Sequence, residues 1–209
     1  MNRLYFVFAA VVVCALVATP AMAQDNEMSF FVTSTNPGSG ADFGGLGGAD
    51  AHCQSLADSA GAGGKTWRAY LSTSSPLVHA RDRIGEGPWY NVNGDAVAQN
   101  LDDLHYNNQN LNKEMSLSET GGTINGVGDQ PNQHDILTGS NPDGTSSGAN
   151  CNNWTSSGED STATLGHLDR VGRGGMGPSW VTAHPSRGCS IENLAASGGG
   201  GFIYCFAID

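Results

Sequence analysis

The chain has 209 residues, of which 30 are glycine, 38% are hydrophobic and only 14% are charged. That length fits one domain or at most two. Glycine at this level without a Gly-X-Y period excludes collagen and points to turns and long loops. A net charge of −11 excludes nucleic acid and heparin-like polyanions as partners, because counterion release needs a cationic surface.

The N-terminus reads Met1-Asn2-Arg3, then an apolar run from Leu4 to Ala18, then Ala21-Met22-Ala23 before Gln24. A basic start, an apolar stretch and a small-x-small end are the three parts of a secretory signal peptide, and the run is shorter than the ~20 residues of a spanning helix. Residues 1–23 are therefore expected to be a leader. Residues 24–209 are expected to be one exported domain: secreted, periplasmic or at the cell surface, and not membrane-spanning. Removing Arg3 from the nine basic residues leaves 8 against 20 acids, net −12. Cys14 also leaves, so Cys53, Cys151, Cys189 and Cys205 remain. An even count in an oxidising compartment predicts two disulfides, and no pair has the C-x2-4-C spacing of a zinc site. Three connectivities are open. A nested one, Cys53 to Cys205 and Cys151 to Cys189, would close loops of about 150 and 38 residues, each adding roughly 4–5 kcal/mol in the chain-entropy model.

Met28 to Thr33 is a β-favouring run that ends at the turn signal Asn36-Pro37-Gly38. Ala49, Cys53, Leu56, Ala57 and Ala60 share one face of a predicted helix, with Asp50 near its start and Gly61 as its stop. Thr66 to Leu71 alternates as a half-buried strand, with Trp67, Ala69 and Leu71 on one side and Arg68 and Tyr70 on the other. Further strands are predicted at Arg81–Arg83, at Trp89–Val92 and at Ser179–Ala183, and a short helix within Ala96–Leu104. From His105 to Asn153 the chain is mostly Asn, Gly, Ser, Asp and Gln, a loop region of unusual length. Gly201 to Ile208 is apolar on both faces and is expected to be a central strand. The fold class is α+β, with a sheet assembled from elements far apart in the chain.

Four blocks carry a family resemblance when taken together. They are Gly44-Gly45-Leu46-Gly47-Gly48-Ala49-Asp50-Ala51-His52-Cys53; Trp67-Arg68-Ala69-Tyr70-Leu71-Ser72; Leu137-Thr138-Gly139-Ser140-Asn141-Pro142-Asp143-Gly144 followed by Cys151-Asn152-Asn153-Trp154; and Cys189 with Phe202-Ile203-Tyr204-Cys205. Their order resembles the endostatin domain of collagens, and still more the secreted bacterial endostatin-like proteins that carry lectin-type names. The resemblance implies a C-type-lectin-like fold: a mixed, mostly antiparallel sheet, one or two helices, long loops and the nested disulfides. Two family properties lack their residues here. The arginines are scattered rather than clustered for heparin, and Gln24 to Ser29 has no histidine for an N-terminal zinc site.

Asp129-Gln130-Pro131-Asn132-Gln133-His134-Asp135 contains a Gln-Pro-Asn triplet like those with which C-type lectins hold Ca2+ and sugar hydroxyls, hard oxygens suiting a hard cation. Asn141, Asp143, Asn152 and Asn153 would complete such a site if the loop folds back. The alternative is an ordinary turn at Pro131, with His134-Asp135 opening a strand through Ile136 and Leu137 and Asp135 capping a backbone turn. Trp154 is either a sugar-stacking platform or core against the bridge, and Trp89 is the better exposed platform. The six histidines, His52, His79, His105, His134, His167 and His184, form no H-x-x-x-H pair on a predicted helix to support a catalytic zinc site, and no G-x-S-x-G elbow is present, so no catalytic residue is assigned. The expected function is non-enzymatic binding of a glycan or an extracellular protein through Asp129, Gln130, Asn132, His134, Asp135, Asn141, Asp143, Asn153 and Trp154, with Ca2+ as a candidate cofactor. The alternatives are a structural envelope or matrix protein and a hydrolase built on His134 and Asp135.

Overall fold

The computed structural model describes residues 1, 27–37, 39–107, 110–172 and 178–209. Residues 2–23 of the expected leader, Cys14 among them, lie outside these. The chain is α+β. Among the described residues ten strands run in chain order: β1 (Phe30–Val32), β2 (Trp67–Ala69), β3 (Thr73–Ser74), β4 (Leu77–Val78), β5 (Trp89–Tyr90), β6 (Ala96–Ala98), β7 (Asp135–Leu137), β8 (Thr164–His167), β9 (His184–Pro185) and β10 (Gly199–Ala207). The main sheet has the order β1-β10-β7-β8-β9, with β2 also pairing β10, and β3-β4 and β5-β6 form two small ribbons. All its pairings are antiparallel except β10 with β7. The apolar run at the C-terminus is thus the central strand its composition predicts.

Side-chain alternation explains why the sheet has two cores. Phe31, Cys205 and Ile203 face one way, with Cys53, Trp67, Leu137 and Leu165. Phe30, Tyr204 and Phe206 face the other, with Tyr70, Trp89, Ile136 and Trp180. Strand β2 alternates as expected, with Trp67 and Ala69 buried and Arg68 partly exposed, but Tyr70, just beyond it, is as fully covered as Leu71 because it enters the second core.

Helix α1 (Gly45–Ser59) buries Ala49, Cys53 and Ala57 as its periodicity predicts, but begins four residues before Ala49. Asp50 lies inside it and reaches across to Arg83, with Oδ2 2.7 Å from Nη2, while Oδ1 accepts the Ala69 amide. The bridges are Cys53–Cys205 and Cys151–Cys189, with Cα atoms 5.7 and 5.8 Å apart. A single turn, α2 (Cys151–Trp154), has positive φ at all four residues, 48°, 56°, 57° and 65°. A left-handed run of non-glycine residues costs about 1–2 kcal/mol per residue. The Cys151 bridge and the Asn150 side chain, which accepts the Asn153 amide, hold it in place.

Several local expectations are corrected. Arg81–Arg83 is not a strand: Ala80–Asp82 is a 3₁₀ turn, which lets Arg83 bury its guanidinium against Asp50. Ala96–Leu104 divides into β6 and a π-type turn at Asp103–Asn107 that buries Leu104. Ser179–Ala183 is not a strand; β9 follows it. Strand β8 and helix α3 (Ile191–Ser197), whose N-cap Ser190 accepts the Asn193 amide, carry too few periodic residues to have been predicted. Among the described residues no helix is long and apolar enough to cross a membrane.

Candidate metal centre

The antiparallel pairing of β7, β8 and β9 gathers the chemistry. Asp135 opens β7 and sits directly across from His167, the last residue of β8. His184 opens β9 opposite Leu165, two residues before His167 and so on the same face. His134 precedes β7 and turns back onto its neighbour. His134 Nε2, His167 Nε2 and His184 Nε2 lie 3.2, 3.3 and 3.4 Å from one atom, Asp135 Oδ1. The His134 and His167 rings stack with centroids 4.2 Å apart, and His184 meets His167 edge-on at 5.1 Å.

Two close backbone approaches build this corner. A Cβ on Gly166 would stand 1.8 Å from the Trp180 carbonyl oxygen, so glycine there lets the segment carrying His184 lie on β8. Gly198 caps α3 at φ 117°, and a Cβ there would press on Asp135 Oδ2, Asn132 and His134 at 3.0–3.4 Å.

The three contacts to Asp135 Oδ1 lack hydrogen-bond geometry. Both oxygens of the Asp135 carboxylate and both nitrogens of His167 are buried without a hydrogen-bond partner. Unpaired buried polar atoms are costly and uncommon in folded proteins. Donor atoms whose lone pairs aim at a shared centre, rather than at each other, produce this pattern. A tetrahedral zinc with bonds of about 2.0–2.1 Å places its donor atoms about 3.3 Å apart, which matches the observed 3.2–3.4 Å. The ligand atoms of His134, Asp135 and His167 all lie within 4.8 Å of one another. Those two imidazoles and one carboxylate form a donor set for zinc or a neighbouring transition metal, and His184, which falls outside that group but reaches Asp135 Oδ1 at 3.4 Å, is a candidate fourth ligand, whereas calcium takes six to eight oxygens.

The surroundings have the form of an outer coordination shell. Asp169 Oδ1 lies 3.1 Å from His134 Nδ1, the carboxylate–histidine arrangement that orients a metal ligand. Its carboxylate also accepts the Val127 and Val171 amides. Burial raises the Asp169 pKa, but those hydrogen bonds outweigh it and bring the value to about 2. Burial likewise raises the Asp135 carboxyl, and the imidazoles of His167, His184 and His134 overcome it and hold the pKa below the ordinary carboxylate value. The Asp135 carboxylate raises the His184 pKa despite burial, and His184 Nδ1 lies 3.0 Å from the Pro185 carbonyl oxygen.

The cluster opens onto a cavity of about 410 Å³ whose walls include His134, His167 and His184 with Asp129, Gln130, Asn132 and Ser197. Five of the residues expected at a binding site, Asp129, Gln130, Asn132, His134 and Asp135, are thus at or beside this corner. The other four lie elsewhere. Asn141 and Asp143 bond within their own turn, to Thr145 and Ser146. Asn153 accepts the Ser74 and Ser75 amides. Trp154 is fully buried and donates to the Ser72 carbonyl. Asp129 pairs with Lys113. Asp135 does not cap a backbone turn, because its carboxylate faces the histidines. Trp89 is 1% exposed and is not a surface platform. His167, His184 and Asp169 were not singled out from sequence; His167 and His184 are 17 residues apart, and only strand pairing brings them together.

No known family's model matches the chain, and no curated protein is similar to it.

Proposed function

We propose that this chain is an exported, non-enzymatic binding protein of C-type-lectin-like, endostatin-like fold that binds a divalent transition metal, zinc first, through His134, Asp135, His167 and His184, and meets an extracellular glycan or protein partner above that centre. The observation that carries the metal reading is the Asp135 carboxylate, fully buried with neither oxygen hydrogen-bonded. A divalent cation would supply a partner for Asp135 Oδ1 and for His167 Nε2, two of the four unpartnered atoms. The leader-like N-terminus supports export, and the order α1, nested bridges and central β10 supports the fold assignment.

The hydrolase alternative built on His134 and Asp135 has weaker support. Ser197, the cavity serine, donates to the Asn193 carbonyl and accepts the Arg187 amide, so its hydroxyl is already engaged.

The test is metal content and thermal unfolding of the full chain after chelation, with Zn2+ or Ca2+ added back. Zinc raises the melting temperature and calcium does not, because a ligand that binds only the folded state stabilises it by linkage. The His167→Ala variant loses the rise. Equal melting with and without zinc would overturn the reading.

A further inference from the structure

The four donors are not equivalent. His134, Asp135 and His167 are carried at the inner strands β7 and β8, and their side chains are 9%, 0% and 1% exposed. His184 belongs to β9, a two-residue strand at the sheet edge that pairs only with β8. Its side chain, at 14%, is the most exposed of the four, and it shares the cavity wall with His134 and His167. The outer support differs too. His134 is oriented by a buried carboxylate, Asp169, and His167 is held by complete burial, whereas the more exposed His184 has only the carbonyl of its own neighbour, Pro185. A ligand held by a buried carboxylate is fixed in angle and made more basic; His184 lacks that.

We infer that His184 is an exchangeable ligand, and that the cavity above it admits a carboxylate-bearing ligand that takes its position on the metal. In the exchange one metal–nitrogen bond to His184 breaks and one metal–oxygen bond to the carboxylate forms. His184 leaves as neutral imidazole, and no proton or electron is transferred. The charges agree: a divalent ion with the single inner carboxylate of Asp135 carries one net positive charge, which a monoanionic ligand cancels. The second carboxylate oxygen would lie among the side-chain amides of Gln130 and Asn132, which border the cavity. Asn132 uses only its Oδ1 internally, accepting the His134 amide at 3.4 Å.

This inference rests on the metal reading, and one experiment separates the two. The full chain is loaded with Co2+, whose visible spectrum reports the donor set, and titrated with acetate. The His184→Ala variant is expected to retain cobalt and to bind acetate at least about tenfold more tightly than the native chain, a change on the scale of a lost ligand support. Added imidazole should restore the native spectrum. Gln130→Ala with Asn132→Ala should weaken acetate binding in the native background without altering cobalt content. If His184→Ala loses cobalt as completely as His167→Ala, or if acetate leaves both spectra unchanged, the exchange is wrong while the metal reading stands. If the native chain takes up no cobalt or zinc, both fall.

Discussion

Asp169 Oδ1 stands 3.1 Å from His134 Nδ1, and the same carboxylate accepts the amides of Val127 and Val171. One buried side chain therefore orients a candidate metal ligand and fastens two loops that border the cavity. The Asp169→Asn variant keeps the shape but loses the charge. Zinc affinity should fall about 10–100-fold, the usual cost of losing such a partner, with the native fold retained by circular dichroism. Competition titration against a chelating dye measures it.

Asp135 gives a sharper contrast. In chelated protein at pH ~8, where the histidines are neutral, its carboxylate is buried without a hydrogen-bond partner, a costly state, so Asp135→Asn should there melt no lower than the native chain. With zinc present, the native chain should rise and the variant should not. Melting curves of both proteins, with and without zinc, test the pair of outcomes.

The pH dependence should reverse sign on metal binding. His184 has a raised pKa in the folded chain because of Asp135. In the metal-free protein its protonated form therefore adds stability that is fully present below the ordinary histidine value and is lost as pH rises through the raised value. Zinc binds neutral imidazole and is displaced by protons. The zinc-induced rise in melting temperature should accordingly be absent near pH 5 and grow toward pH ~8, the interval across which histidines titrate.

Gly166→Ala tests how the edge strand is placed. The new Cβ would meet the Trp180 carbonyl oxygen at 1.8 Å, forcing the Trp180–His184 segment off β8. Stability should fall by about 1–3 kcal/mol, the range for overpacking. Zinc affinity should fall with it, although position 166 is no ligand. Urea unfolding and zinc titration together report the two effects.

The Cys53–Cys205 bridge closes the longer loop, with a sequence separation of 152, and ties α1 to the central strand. Replacing both cysteines by alanine should cost roughly 4–5 kcal/mol, slightly more than the Cys151–Cys189 pair, whose separation is 38, because loop-closure entropy grows slowly with length. Reversible denaturant unfolding of the two double variants gives the difference.

Composition and periodicity determined the α+β class, the buried face of α1 through Ala49, Cys53 and Ala57, and the central position of Phe202–Ala207. These follow from local rules: spacing sets a helix face, and an apolar run on both faces demands cover from two sides. The same reasoning offered His134-Asp135 either as part of a ligand loop or as the start of a strand with the carboxylate capping a backbone turn. Only the tertiary structure decided that it meets His167 and His184. Those residues lie 32 and 49 positions further along the chain, and strand register, not spacing, brings their ring nitrogens to one oxygen. The register in turn depends on Gly166 admitting the Trp180 backbone, a contact for which the local sequence gives no signal. Asn141, Asp143, Asn153 and Trp154 show the converse: a loop rich in polar residues resembled one binding surface, but its side chains bond within separate turns and the core, because buried backbone groups need partners.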